Sequence, residues 1–86
     1  MTKRNIQVRL ENGLEARPVA LLVQEASKYE STIYIQSGER RVNAKSIMGM
    51  MSLGLDNGEK LEVSAEGTDE QAAVEGIEEF LSGKAS

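Results

Sequence analysis

Ser46 is the side chain whose setting most invites chemistry. It follows Lys45 and heads the apolar run Ile47-Met48-Gly49-Met50-Met51. A serine before such a run is a natural helix N-cap, worth about 1 kcal/mol. A phosphoryl group on it would add about −1.5 to −2 charges at the positive end of a helix and beside a lysine. From spacing alone, both readings, cap and modification site, stay open. A two-turn helix cannot hide the whole run: part must face a core, and Ile47 or Met48 is expected to face out. Flexible, polarisable methionines suit surfaces that bind several partners, and equally they fill cores. Glu15 lies just ahead of a predicted helix, with Arg17 two residues on. The helix dipole favours a carboxylate there by about 0.3–1 kcal/mol, but no other identifiable group makes a catalytic pair with it.

The rest of the inventory is restrictive. The chain has no histidine and no cysteine, which removes imidazole-based triads, proton shuttles and zinc sites as well as thiolate sites and disulfides. The remaining carboxylates lack calcium-loop spacing, and there is no glycine-rich phosphate loop or nucleophile elbow. No enzyme activity, cofactor or metal is therefore expected.

The elements that must position these residues follow from periodicity. Ile6, Val8 and Leu10 alternate with polar residues, as in a half-buried strand. Asn12-Gly13 breaks the pattern, and Pro18 is preorganised for a helix start. Val19, Leu22, Val23 and Ala26 then share one helical face. Arg17, Ala20, Leu21, Gln24 and Lys28 cluster on the opposite side, where Leu21 beside Arg17 is either part of a docking surface or an ordinary exposed leucine. Thr32 to Gln36 reads as a second strand, and Ser37-Gly38 turns into a short third around Arg41 to Asn43. The Ser46 helix follows, with Gly54 suited to its end. After the turn Asp56-Asn57-Gly58, Leu61, Val63 and Ala65 alternate in a fourth strand. Thr68-Asp69-Glu70-Gln71 has the form of a capping box opening a last helix, whose Val74, Ile77, Phe80 and Leu81 share a face. Gly76 inside that helix costs about 1 kcal/mol relative to alanine. Every strand is polar on one side. The predicted fold is therefore α+β, an open-faced β-sandwich with a four-stranded antiparallel sheet covered on one face by three helices.

A chain of 86 residues makes one domain, expected to span residues 1–86. Fourteen acidic against ten basic residues give a net charge of −4, a poor match to direct nucleic-acid or anionic-membrane binding. The apolar stretches are far shorter than the roughly 20 residues of a membrane span. The start runs straight into a strand pattern and not into an export signal, so a cytoplasmic location is expected.

Together, Gly13-Leu14-Glu15-Ala16-Arg17-Pro18 and Lys45-Ser46-Ile47-Met48-Gly49-Met50-Met51-Ser52-Leu53-Gly54 resemble the two signature segments of HPr, the small phosphocarrier of the sugar phosphotransferase system. The similarity runs from about Ile6 to Phe80, and the family has the same strand-helix-strand-strand-helix-strand-helix order. In the family, the first segment carries a phosphate-accepting histidine; this sequence has Glu15 at that position. The second carries a serine phosphorylated by the ATP-dependent HPr kinase/phosphorylase, which corresponds to Ser46 in an intact motif. The chain is most similar to the subgroup that lacks the histidine, catabolite repression HPr (Crh). The resemblance implies a noncatalytic corepressor of catabolite control protein A, a LacI-type regulator. Ser46 would be the switch, Arg17 and Lys45 would be polar contacts, and Ala20, Leu21, Ile47, Met48 and Met51 would form the apolar contact surface. The subgroup commonly has glutamine where this chain has Glu15, and the added charge implies a partial weakening of regulation at most. The alternatives are residual phosphotransfer through Glu15 and direct regulation of a metabolic enzyme. A homodimer formed by swapping the first strand through a Glu11 to Glu15 hinge is also open to such a sheet.

Overall fold

A computed structural model describes residues 1–9, 16–53 and 58–82, with the backbone alone for residues 16–18. Leu10, the hinge from Glu11 to Glu15, Gly54, Asp56 and Asn57 lie outside the described residues, as does the side chain of Arg17. In chain order the elements are β1 (Thr2–Gln7), α1 (Ala16–Ser27), β2 (Thr32–Ser37), β3 (Arg40–Asn43), α2 (Ile47–Leu53), β4 (Lys60–Glu66) and α3 (Glu70–Leu81). The four strands form one antiparallel sheet in the order β1-β4-β2-β3. Three helices cover one face of it, which is the expected open-faced sandwich.

Register explains which side is covered. Ile6 pairs with Leu61, and Ile35 pairs with both Val63 and Val42, so one pleat carries the apolar side chains of every strand. Against it pack Val19, Leu22 and Ala26 of α1, Met50 and Leu53 of α2, and Ala73, Val74, Ile77 and Leu81 of α3, all buried. The other pleat is polar. There Lys3 approaches Glu62 at 4.0 Å and the Arg41 guanidinium lies 4.1 Å from the Tyr34 ring centre.

The first strand starts at Thr2, earlier than the alternation at Ile6 suggests, because its core-side pleat begins with polar residues that find partners on α3. Thr2 Oγ1 donates to Glu70 Oε2 at 2.6 Å and Arg4 Nη1 donates to Glu78 Oε1 at 2.7 Å. Val8 lies beyond the strand yet stays paired, donating to the Glu59 carbonyl at 2.9 Å and accepting from Gly58 N–H at 2.7 Å.

The expected capping box does not form. The residue ahead of α3 is Asp69, whose side chain makes no cap bond to the helix. Its carboxylate instead accepts from the Glu30 and Ser31 N–H groups, both at 2.9 Å, and from the Ser31 hydroxyl. Thr68 Oγ1, expected to cap, faces Glu30 Oε2 at 3.4 Å. Three donors from the segment between α1 and β2 outcompete the helix for this acceptor, and they hold the Asp69 carboxyl below its usual range, the Ser31 hydroxyl contributing most.

Gly76 also has a tertiary reason. A Cβ there would run into the Tyr29 hydroxyl and ring, so glycine lets the phenol lie against α3. Tyr29 Oη donates to Glu25 Oε2 at 3.1 Å. Burial first, then the neighbouring Glu25 carboxylate, raises the phenol above its ordinary pKa.

Candidate functional site

The turn that delivers Ser46 is built by Asn43 at the end of β3. Asn43 Oδ1 accepts the Lys45 N–H at 2.8 Å and the Asn43 carbonyl accepts the Ser46 N–H at 3.0 Å. This is an Asx-type turn, in which an asparagine side chain stands in for a backbone acceptor. Ser46 then caps α2 as expected, its Oγ accepting the Gly49 N–H at 3.2 Å and its carbonyl the Met50 N–H at 2.9 Å. The residue as a whole is half-buried.

Helix α2 divides its apolar residues sharply. Met50 and Leu53 are buried under the sheet, whereas Ile47 is 45% exposed, Met48 80% and Met51 53%. Both Ile47 and Met48 therefore face out. Helix α1 packs against α2 and presents Leu21, 44% exposed, with Ala20 half-buried beside it in sequence. Ile47, Met48, Met51, Leu21 and Met1 aside, every large apolar side chain among the described residues is buried or half-buried. The large apolar side chains that stay exposed are thus concentrated on α2, the helix that Ser46 caps, and on α1, which packs against it.

Lys45 does something the sequence does not announce. Its Nζ donates to the Tyr29 carbonyl at 2.7 Å, binding the turn before α2 to the segment after α1. The ammonium next to Ser46 in sequence is thus committed to a backbone acceptor. Glu15 lies outside the described residues, and Arg17 is placed by its backbone alone, in the first turn of α1. Among the described residues no acidic, histidine or cysteine cluster is arranged to hold a metal ion. None of their helices is long and apolar enough to cross a membrane.

Sequence reasoning missed Gly49, whose N–H bonds the Ser46 hydroxyl, and Tyr29, whose carbonyl holds Lys45. The Asn43-x-Lys45 spacing was a readable sign of the turn; nothing in the sequence marks the Tyr29 carbonyl.

A sequence profile described as the PTS HPr component phosphorylation site matches residues 2–83. The chain belongs to the HPr family. It is 46% identical over 81 residues to the HPr-like protein Crh of Halalkalibacterium halodurans, covering 94% of this chain and 96% of that one. Among solved structures it is similar to HPr-C-His from Thermoanaerobacter tengcongensis, with a TM-score of 0.91 and 44% identity over 98% of this chain and 94% of the other. Crh of Bacillus subtilis, described as a dimer with a swapped domain, matches with a TM-score of 0.79 and 41% identity over 100% of this chain and 99% of that one. Against that family background, this HPr-family chain contains no histidine anywhere.

Proposed function

We propose that this chain is a regulatory HPr-family protein of the Crh type, phosphorylated at Ser46 by HPr kinase/phosphorylase. In that form it binds catabolite control protein A as a corepressor in carbon catabolite repression. The observation that carries this reading is the exposed apolar surface of Ile47, Met48 and Met51 on the helix that Ser46 caps. A docking face beside a modifiable hydroxyl suits a switch. Phosphorylation would add about two negative charges and three acceptor oxygens at the edge of an apolar patch, so that one surface offers both burial and charge-assisted hydrogen bonds. Arg17 pairs with that phosphate or with an acidic group on the partner, and Ala20 and Leu21 extend the apolar contact along α1. Lys45 contributes by holding the turn.

The protein acts as a single domain in the cytoplasm and carries no phosphohistidine, since the chain has no imidazole to accept the phosphoryl group. The similarity to Crh supports the regulatory assignment. A homodimer belongs to the same proposal: β1 lies at the edge of the sheet, where exchange between two copies would preserve its pairing with β4 and its bonds to α3. The test is to incubate the protein with the kinase and ATP, locate the phosphate by mass spectrometry, and titrate both forms into the regulator. Ser46→Ala should abolish tight binding, and Ser46→Asp should restore it only in part.

A further inference from the structure

We infer that Gly49 is a positioning residue for phosphoryl transfer to Ser46, its missing side chain keeping the serine hydroxyl open to the incoming phosphorus. The inference rests on the phosphorylation reading above. Gly49 lies inside α2 and is not among the glycines with positive φ, which among the described residues are Gly38, Gly58 and Gly67. Its backbone therefore makes no demand that alanine could not meet, and helix propensity favours alanine. What alanine would change is the space beside the serine hydroxyl. A Cβ built on Gly49 would sit 3.3 Å from Ser46 Oγ, 3.4 Å from Val42 Cβ and 3.5 Å from Ser46 Cβ. Val42, on β3, and Ser46 Cβ are then at ordinary contact distance, and the one tight approach is to the reacting hydroxyl, which a methyl group would displace by a few tenths of an ångström.

The chemistry makes this space matter. In the transfer, Ser46 Oγ forms a bond to the γ-phosphorus of ATP while that phosphorus breaks its bond to the bridging oxygen of the departing ADP. The hydroxyl proton passes to a base of the kinase. One acceptor direction of Oγ already points at the Gly49 N–H, 3.2 Å away, which orients the hydroxyl. The product then holds three phosphoryl oxygens around that same atom. A methyl group beside Oγ occupies part of the volume that the in-line approach and the product require, while leaving Ile47, Met48 and Met51 free to dock.

The prediction is therefore a loss in kcat without a matching change in KM. Wild type, Gly49→Ala and Gly49→Ser are each phosphorylated by HPr kinase/phosphorylase with ATP, with rates expressed per folded molecule from a melting curve. The serine variant places the same Cβ and provides a second, independently folding test. Gly49→Ala should show kcat reduced about tenfold. It should also inhibit wild-type phosphorylation competitively, with a constant close to the wild-type KM. A variant phosphorylated at the wild-type kcat overturns the inference, as does a loss confined to KM, which would make Gly49 a docking residue. A wild-type chain that takes up no phosphate on Ser46 overturns the phosphorylation reading and this inference together. That result is distinguished by the wild-type control alone.

Discussion

Met48 and Met50 are two residues apart on one short helix, and the structure gives them opposite surroundings. Met48 is 80% exposed and Met50 is fully buried, so one truncation applied to each separates docking from packing. Met50→Ala removes a thioether side chain from between the sheet and α2, and burial of that kind costs about 2–5 kcal/mol when truncated. For a chain of this size each kcal/mol moves the melting temperature by about 4–8 °C, so Met50→Ala should melt at least about 8 °C early. Met48→Ala removes the same atoms from water, and surface changes fall within about 0.5 kcal/mol, a shift of at most about 4 °C. Binding should invert the order. With both variants phosphorylated on Ser46 and titrated into catabolite control protein A, Met48→Ala should weaken binding by at least about 1 kcal/mol, a factor of about five in Kd. Folded Met50→Ala should bind nearly as wild type. A Met48→Ala protein that melts early and binds normally when folded would refute the assignment of this helix face to docking.

Further outcomes follow from individual contacts. The lowered Asp69 carboxyl contributes stability that is present above its unfolded pKa, near 4, and is lost as pH falls through the lower folded value. Asp69→Asn should therefore flatten the acid limb of the stability curve measured by thermal melts below about pH 4; an unchanged limb would mean that its three donors contribute nothing. Gly76→Ala should destabilise the fold despite the better propensity of alanine, and Tyr29→Ala in the same chain should recover part of the loss because the clash is with the phenol. Equal stability of Gly76→Ala and wild type in urea titrations would show that the ring moves aside freely. Incubation with the first enzyme of the phosphotransferase system and phosphoenolpyruvate should leave the chain unlabelled, and stoichiometric label on Glu15 would require a phosphocarrier role.

Much of this was legible from side-chain period. Each element was readable where its apolar residues alternate by two or by three to four, as in Leu61-Val63-Ala65 and Val19-Leu22-Val23-Ala26. The failures occur where a polar residue is stabilised by a partner distant in sequence. Thr2 and Arg4 occupy core-side positions of β1 because Glu70 and Glu78 meet them there, and no local pattern contains that information. Asp69 leaves its helix uncapped for donors near residue 30, and Gly76 answers to Tyr29. At the site, the Ser46 cap and the outward face of α2 could be read from the short apolar run, since seven helical residues have one buried side to offer. The direction of Lys45 could not, because a backbone carbonyl from another segment fixes it.

In the proposed switch, Ser46 phosphorylation turns on binding to a transcriptional regulator. Calorimetric titration of catabolite control protein A with the unmodified and the kinase-treated chain, each verified by mass spectrometry, tests it most directly. The expected result is one phosphate per chain, on Ser46, and tight binding by the modified form alone. Equal binding by the two forms, or a phosphate located on another residue, would contradict it.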